Sequence, residues 1–166
     1  VKDSGVKTFI IHARKGILKG LSPRQNRNIP PLNYQKVYSI KDDFPELEII
    51  INGGIKNISE AKNHLNYVDG VMLGRAAYDD PFMLSDIDSE IYSNTKIEIS
   101  RKDLLTEYLD YVHVMTKKGY DPKIMLKHVF GLKKGEKDAK RFRVKVAEIM
   151  NSSSLVENKD ELLSMV

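Results

Sequence analysis

Three short apolar segments of the sequence each end in residue types that suit the binding of a phosphate group. These residues are His12, Asn52-Gly53-Gly54 and Gly74-Arg75. Glycines let the backbone approach an oxyanion closely and tolerate positive φ, while a guanidinium can contact phosphate through two parallel hydrogen bonds. An Asn-Gly hairpin turn is the alternative for the middle segment, but the residues that follow it have a helical pattern. A phosphate-bearing ligand is therefore the favoured interpretation.

Other chemistry is restricted by composition. The chain contains no cysteine, which excludes a disulfide scaffold, a cysteine zinc site and a cysteine nucleophile within it. A buried, hydrogen-bonded histidine is the alternative to a ligand role for His12. The remaining histidines, interpreted as structural, lie on helical patterns without metal-ligand spacing; they are His64, His113 and His128. No Ser-His-Asp set or carboxylate pair stands out, and no metal site is predicted.

Positive charge is concentrated in two blocks. Residues 12–34, which we call the basic loop, carry five Lys or Arg side chains and no acid. Residues 117–145, the basic tail, carry eleven Lys or Arg side chains against three acids, although the whole chain has a formal charge of only +4. Such blocks are typical of a polyanion-binding surface. Two solvated faces of a Lys-rich protein are the alternative.

The elements that must position these residues follow from length and hydrophobic pattern. The 166 residues, with 41% hydrophobic and 30% charged side chains, are typical of a soluble globular protein. No apolar run approaches the ~18 residues of a membrane span, and no membrane association is predicted. Strands are predicted over Thr8–Ala13, Leu47–Gly53 and Asp69–Gly74, buried on both faces of a parallel sheet. Helical patterns separate them, so the fold class is α/β.

After residue 93 the pattern is helical throughout. Helices are predicted to begin after Ser100, at Asp121-Pro122, near Asp138 and after Asn158. The side chains predicted to form their apolar faces are Leu104, Leu105, Tyr108, Leu109, Val112, Ile124, Met125, Val129, Leu132, Phe142, Val146 and Ile149. Two domains are predicted: an α/β part over residues 1–95 and a small helical bundle over residues 96–166.

Four strings of the sequence together resemble a known family. They are "FIIHARKGILKGLSPRQNRNIPPLNY", "EIIINGGI", "DGVMLGRAAYDDP" and "IMLKHVFGLKKGEKDAKRFR". In this order and spacing they are similar to the C-terminal half of a tRNA-dihydrouridine synthase, most closely of the A-type bacterial branch. The resemblance covers nearly the whole chain. It implies a (β/α)8 TIM barrel that binds FMN. It also implies that NADPH reduces the flavin, and that the enzyme then converts uridine in the tRNA D-loop, at positions 20 and 20a, to 5,6-dihydrouridine.

The resemblance also implies roles for individual residues. Flavin and phosphate contacts are implied for His12, Asn52, Gly53, Gly54, Gly74 and Arg75. Contacts to tRNA are implied for Arg14, Lys15, Arg24, Arg27, Lys140, Arg141 and Arg143, with Arg24 and Arg27 matching the A-type binding signature. No protein partner is indicated. A cytoplasmic location is expected, with an organelle as the alternative because the true N-terminus is not visible.

The chain is too short to form the complete barrel that the resemblance implies. A (β/α)8 barrel needs roughly 200 residues or more, whereas only three βα units precede the helical part here. The resemblance implies that the catalytic cysteine belongs to the missing N-terminal half, so the 166 residues are expected to be a fragment that is inactive alone. Two alternatives stay open: a tRNA-binding module without catalysis, and half of a metabolic barrel that binds a phosphorylated small molecule.

Overall fold

The computed structural model describes residues 5–151 and 158–166. Contacts divide the chain into two compact units, one that ends at Ala76 and one that begins at Ala77. We describe each unit by itself and call them the sheet unit and the helical unit. The functional boundary predicted after residue 95 stays a prediction.

The sheet unit contains three parallel strands in the order β1-β2-β3. The strands are β1 (Thr8–His12), β2 (Glu48–Asn52) and β3 (Gly70–Met72). The helices are α1 (Pro23–Asn26), α2 (Tyr34–Asp43) and α3 (Ile58–Leu65), and α4 (Arg75–Asp79) begins here. The predicted α/β class with a parallel sheet is confirmed, because each pair of neighbouring strands is joined through a helical crossover.

Local signals explain where the crossovers begin and end. The side chain of Asn33 accepts a hydrogen bond from the Lys36 N–H and starts α2. Asn57 does the same for α3 through the Glu60 N–H. At the start of β3, a carboxylate oxygen of Asp69 accepts from the Ile49 N–H at 2.8 Å. The two asparagine caps set where the crossover helices begin, and the Asp69 contact ties the start of β3 to β2.

Only one face of the sheet is closely packed within the sheet unit. Ile49 and Ile51 are fully buried on the face that carries the apolar core. On the opposite face Ile10 is 59% exposed and Met72 is 46% exposed. The prediction that the strands are buried on both faces is therefore wrong for β1 and β3 in the described residues. The consecutive apolar residues within each strand predict burial, but they do not show that the sheet unit itself covers both faces.

The helical unit is built around one apolar core. Its helices are the rest of α4, α5 (Ile87–Glu90), α6 (Arg101–Lys117), α7 (Pro122–Leu126), α8 (Ala139–Asn151) and α9 (Lys159–Ser164), with 3-10 turns at Pro81–Asp86 and Lys127–Val129. The predicted starts after Ser100, at Asp121-Pro122 and after Asn158 are confirmed. The buried core comprises Leu105, Leu109, Leu126, Val129, Leu132, Phe142, Val146, Ile149 and Leu162.

Two of the side chains predicted to face this core do not. Leu104 is 38% exposed and Ile124 is 60% exposed. After Ile124 the chain passes from α7 into a 3-10 turn, which has three residues per turn. The inward residues are consequently three apart, at Leu126, Val129 and Leu132, and Ile124 is out of phase with them.

Candidate functional site

The carboxyl ends of the three strands lie side by side. The register pairs His12 with Asn52 and Asn52 with Met72. The Asn52 amide donates to the Met72 carbonyl oxygen at 2.8 Å, and the Ala13 N–H donates to the Asn52 carbonyl at 2.7 Å. We call the predicted phosphate-binding residues at this edge the strand-end site: His12, Asn52, Gly53, Gly54, Gly74 and Arg75. All six follow or end a strand at the same edge of the sheet, as expected for ligand-binding loops of parallel sheets.

The turn after β2 requires glycine for two physical reasons. Gly53 has φ +118° and Gly54 has φ +73°, which side chains rarely tolerate. A Cβ on Gly54 would lie 2.5 Å from Leu32 Cδ1, and one on Gly53 would lie 3.0 Å from His12 Cε1. The turn leads into α3 rather than a paired strand, so the hairpin alternative is wrong.

Tyr34 connects this turn to the end of the basic loop. Its hydroxyl donates a hydrogen bond of 2.9 Å to the Gly53 carbonyl oxygen. The Leu32 side chain packs against Gly54, so a Cβ there would require this side chain to shift. The sequence analysis missed both Leu32 and Tyr34 as positioning residues. The string "IPPLNY" contains them, but nothing in its composition shows that they lie against a turn some twenty residues later.

The residues after β3 add open space beside Gly74 and the cation Arg75 to the strand-end site. A Cβ added to Gly74 would have no atom within 4 Å, so the space beside it is free in the described residues. Arg75 begins α4 and donates to Asn28 Oδ1 at 2.6 Å and, more weakly, to the Arg27 carbonyl oxygen at 3.4 Å. Arg75, which is predicted to bind the phosphate, therefore contacts the basic loop. Asn28 is a third residue, after Leu32 and Tyr34, whose contact was not predicted from the sequence.

The surroundings of the His12 imidazole favour its neutral form. One side of its ring lies against Gly53 although the residue is exposed as a whole. This partial burial lowers the pKa of His12 below its usual 6.5, and the positive charges of Arg14, Arg75 and Arg27 lower it further. Three guanidinium groups thus create a positive potential at the strand ends. Such a potential favours an anionic ligand and keeps the imidazole neutral.

The basic loop is closed at its base by backbone and side-chain contacts. Arg14 and Leu32 form an antiparallel bridge, and the Asn33 N–H donates to the Ala13 carbonyl at 2.8 Å. The Arg14 guanidinium donates to the Pro30 carbonyl oxygen, while its buried Nε has no hydrogen-bond partner among the described residues. Arg14 is thus partly used in closing the loop, and its implied contact to RNA stays a prediction.

The other predicted RNA ligands of the basic loop are exposed. Lys15, Arg24 and Arg27 all present their side chains to solvent. Arg24 lies in α1, which begins with a capping box: the Ser22 side chain accepts from the Gln25 N–H, and the Gln25 side chain accepts from the Ser22 N–H. Arg24 and the C-cap residue Arg27 are therefore held on a short folded segment, whereas Lys15 lies outside it.

The predicted tail residues lie at the start of α8. Lys140, Arg141 and Arg143 are exposed, and the first turn of this helix contains no acid. Cations at a helix N-terminus oppose the helix dipole, so this placement costs stability in the absence of an anion. Lys145 differs, because it forms an ion pair of 2.6 Å with Glu161. The tail thus combines a lysine paired within the helical unit with exposed cations that have no ion pair among residues 5–151 and 158–166.

Two kinds of feature are absent from residues 5–151 and 158–166. Within these ranges no group of three or more His, Asp or Glu side chains is arranged to hold a metal ion. No helix there is both long and apolar enough to cross a membrane.

Comparison with known proteins decides the family. The model of the family described as dihydrouridine synthase matches residues 1–165. The chain belongs to the dihydrouridine synthase family. Among curated relatives, the tRNA-dihydrouridine(20/20a) synthase of Pseudomonas putida is 42% identical over 143 residues, which cover 86% of this chain and 43% of that protein. The enzyme of the same name from Haemophilus ducreyi is 44% identical over 140 residues, covering 84% of this chain and 43% of that protein.

The dihydrouridine synthase match includes both predicted regions of function. A third relative, the tRNA-dihydrouridine(20/20a) synthase of Synechocystis sp., is 42% identical over 86% of this chain. The chain spans less than half the length of the relatives it matches, 43% for this one. Membership of the dihydrouridine synthase family is thus shown, and the resemblance drawn from the sequence strings is confirmed.

Proposed function

We propose that the chain is the C-terminal portion of an FMN-dependent tRNA-dihydrouridine synthase. The proposed reaction is the reduction of uridine in the D-loop, at positions 20 and 20a, to 5,6-dihydrouridine, with NADPH as reductant. The names of the relatives support the choice of uridines. The proposed fold of the whole enzyme is a (β/α)8 barrel, of which the sheet unit supplies three parallel strands.

The strand-end site fits the phosphate of FMN. The two glycines of the turn hold the backbone at positive φ, and Gly74 leaves open space beside Arg75. The Arg75 guanidinium is held by neutral oxygen acceptors rather than by a carboxylate in its described hydrogen bonds, so it keeps its positive charge for a phosphate. In this proposal Asn52 orders the strand ends, while Gly53, Gly54, Gly74 and Arg75 contact the phosphate.

FMN, when bound, supplies hydride chemistry that no side chain of this chain can supply. The chain's own residues bind and orient. The neutral imidazole of His12 offers one N–H donor and one acceptor nitrogen to the flavin, and the three nearby arginines favour its phosphate. The chain has no cysteine, so the residue proposed to protonate the uridine lies outside these 166 residues. We therefore expect no dihydrouridine formation by the chain alone.

We further propose that the basic loop and the basic tail bind the tRNA backbone. The proposed contacts are Arg14, Lys15, Arg24, Arg27, Lys140, Arg141 and Arg143. Their exposure supports this role for all but Arg14, which is partly buried. Neutralising phosphates releases condensed counterions, so the affinity should fall steeply with salt.

A single observation carries the proposal: Arg75 at the end of β3 is hydrogen-bonded to Asn28 of the basic loop. A cofactor phosphate at Arg75 and a tRNA at the basic loop would then bind to adjoining parts of the sheet unit.

Titrating the 166-residue chain with FMN and with riboflavin, which lacks the phosphate, tests the strand-end site. We expect Arg75→Ala to weaken FMN binding and to leave riboflavin binding unchanged. Lys7→Ala is the matched control, because Lys7 is an exposed cation just before β1, at the opposite edge of the sheet. Equal effects of both variants on FMN, or equal affinity for FMN and riboflavin, would refute the phosphate assignment.

The absence of cysteine also favours one alternative, a tRNA-binding module without catalysis. This alternative predicts salt-dependent tRNA binding and no measurable affinity for FMN. The same titration separates the two proposals. The alternative of a metabolic barrel that binds a phosphorylated small molecule is disfavoured, because the curated relatives are named as synthases of dihydrouridine in tRNA.

A further inference from the structure

The side chain of Asn26 joins distant parts of the basic loop. Its Oδ1 accepts from the Ile17 N–H at 2.7 Å, and its Nδ2 donates to the Ile17 carbonyl oxygen at 2.9 Å. Nδ2 also lies 3.3 Å from the carbonyl oxygens of Leu21 and Ser22. Asn26 is half-buried, whereas most residues around it are exposed. One carboxamide therefore fixes both ends of the segment between residues 17 and 26.

No other side chain can make this pair of contacts at the same length. The Ile17 backbone needs an acceptor for its N–H and a donor for its carbonyl, and a carboxamide supplies both from one planar group. An aspartate would lose the donor, and an alanine would lose both. The contact substitutes for a hydrophobic core, because no residue between 14 and 29 is fully buried.

Electrostatics explains why such a contact is needed. The basic loop carries five cations and no acid, so its side chains repel one another in the absence of RNA. A salt bridge would hold the loop but would also neutralise a cation. The amide of Asn26 holds the loop without neutralising Lys19, Arg24 or Arg27.

Resting on the proposed function, we propose that Asn26 is a positioning residue that holds the basic loop in its RNA-binding conformation before RNA arrives. It places Lys19, Arg24 and Arg27, all exposed, on a preformed surface. Such preorganisation reduces the conformational entropy that is lost on binding, and so it raises affinity without adding a contact. Asn26 itself touches no phosphate in this proposal.

The salt dependence of binding separates a positioning role from a direct contact. The probe is an unmodified, transcribed tRNA, titrated with the 166-residue chain at several salt concentrations. We expect Asn26→Ala to weaken binding by about tenfold at each salt concentration, with an unchanged slope of log affinity against log salt. Arg24→Ala and Arg27→Ala should each reduce that slope by about one. Asn63→Ala, an exposed asparagine on α3, is the matched control and should change neither quantity.

Two further measurements keep the test independent of RNA contacts. Exchange of the Ile17 amide hydrogen should accelerate in Asn26→Ala, because its acceptor is removed. Ser22→Ala, which removes the capping box of α1, should weaken tRNA binding in the same manner but by less. An Asn26→Ala variant that binds tRNA like Asn63→Ala, or that lowers the salt slope as the arginine variants do, would overturn the inference. If Arg24→Ala and Arg27→Ala bind as tightly as the unaltered chain, the proposed RNA role of the loop fails instead.

Discussion

Asn28 Oδ1 accepts a hydrogen bond of 2.6 Å from the guanidinium of Arg75, 47 residues later in the chain. This contact joins the end of β3 to the basic loop. The acceptor is a neutral amide, so it orients the guanidinium without cancelling its charge. Asn28, which lies in the proposed RNA-binding loop, therefore orients Arg75, the residue proposed to bind the phosphate.

The charge of residue 28 should control the affinity for FMN. In Asn28→Asp the new carboxylate would pair with Arg75 and compete with the flavin phosphate, so we expect FMN affinity to fall by about fivefold. Asn28→Ala removes the orienting contact but leaves the cation free, and its effect should be smaller. Titration with FMN and riboflavin measures both, and riboflavin affinity should be the same in all three chains. Asn28→Asp binding FMN as tightly as the unaltered chain would contradict this prediction.

The glycines of the strand-end site should differ in what they contribute. Gly54→Ala places a Cβ at positive φ and against Leu32, so we expect the free energy of unfolding to fall by about 1–3 kcal/mol. Gly74→Ala points a methyl group into open space, and its stability should change by less than about 0.5 kcal/mol. The same methyl group should nevertheless weaken FMN binding relative to riboflavin. Urea unfolding together with the two titrations tests the pair, and a marked loss of stability in Gly74→Ala would show that its role is structural.

The tail cations should affect RNA binding without supporting the fold. Lys140→Ala, Arg141→Ala and Arg143→Ala are each expected to reduce the salt slope of tRNA binding by about one. Lys140 and Arg141 lie in the first turn and oppose the helix dipole, so removing either should leave the stability unchanged or slightly higher, and removal of the exposed Arg143 should leave it unchanged. Lys145→Ala is the control on the same helix, since this lysine is already paired with Glu161. A tail in which all four variants bind tRNA alike would argue against phosphate contacts there.

Local chemistry explains what the sequence could predict. The capping residues Asn57, Ser100 and Asp121 act on N–H groups two or three residues away, so they can be recognised from the sequence. The strand ends follow from short apolar runs that stop at polar or glycine residues. These two signals were sufficient to predict that His12, Asn52 and Arg75 lie at one edge of the sheet.

Contacts between distant segments explain what was missed. The roles of Leu32 and Tyr34 depend on the packing of the loop end against the Gly53-Gly54 turn. The outward position of Ile124 depends on a change from α-helical to 3-10 geometry, which the apolar spacing alone did not reveal. Each of these depends on tertiary geometry that a single sequence does not encode as a local pattern.

His64 should make the stability of the sheet unit depend on pH. It is 7% exposed and lies 2.6 Å from the Tyr38 hydroxyl through Nδ1. Burial lowers its pKa below 6.5 despite an opposing effect of Glu60, so the unfolded chain binds a proton more readily than the folded one. The stabilising contribution of neutral His64 is therefore present above pH 6.5 and is lost as the pH falls toward the lowered value.

Unfolding in urea at pH 7 and at pH 5.5 measures this dependence. We expect a lower free energy of unfolding at pH 5.5, and His64→Gln should reduce the difference because glutamine does not titrate. The difference should not vanish, since His12 also has a lowered pKa and titrates in the same sense. Tyr38→Phe is the control, because it removes the hydrogen bond to His64 but keeps the buried imidazole and should keep the pH dependence. An undiminished difference in His64→Gln would assign the pH dependence to other groups.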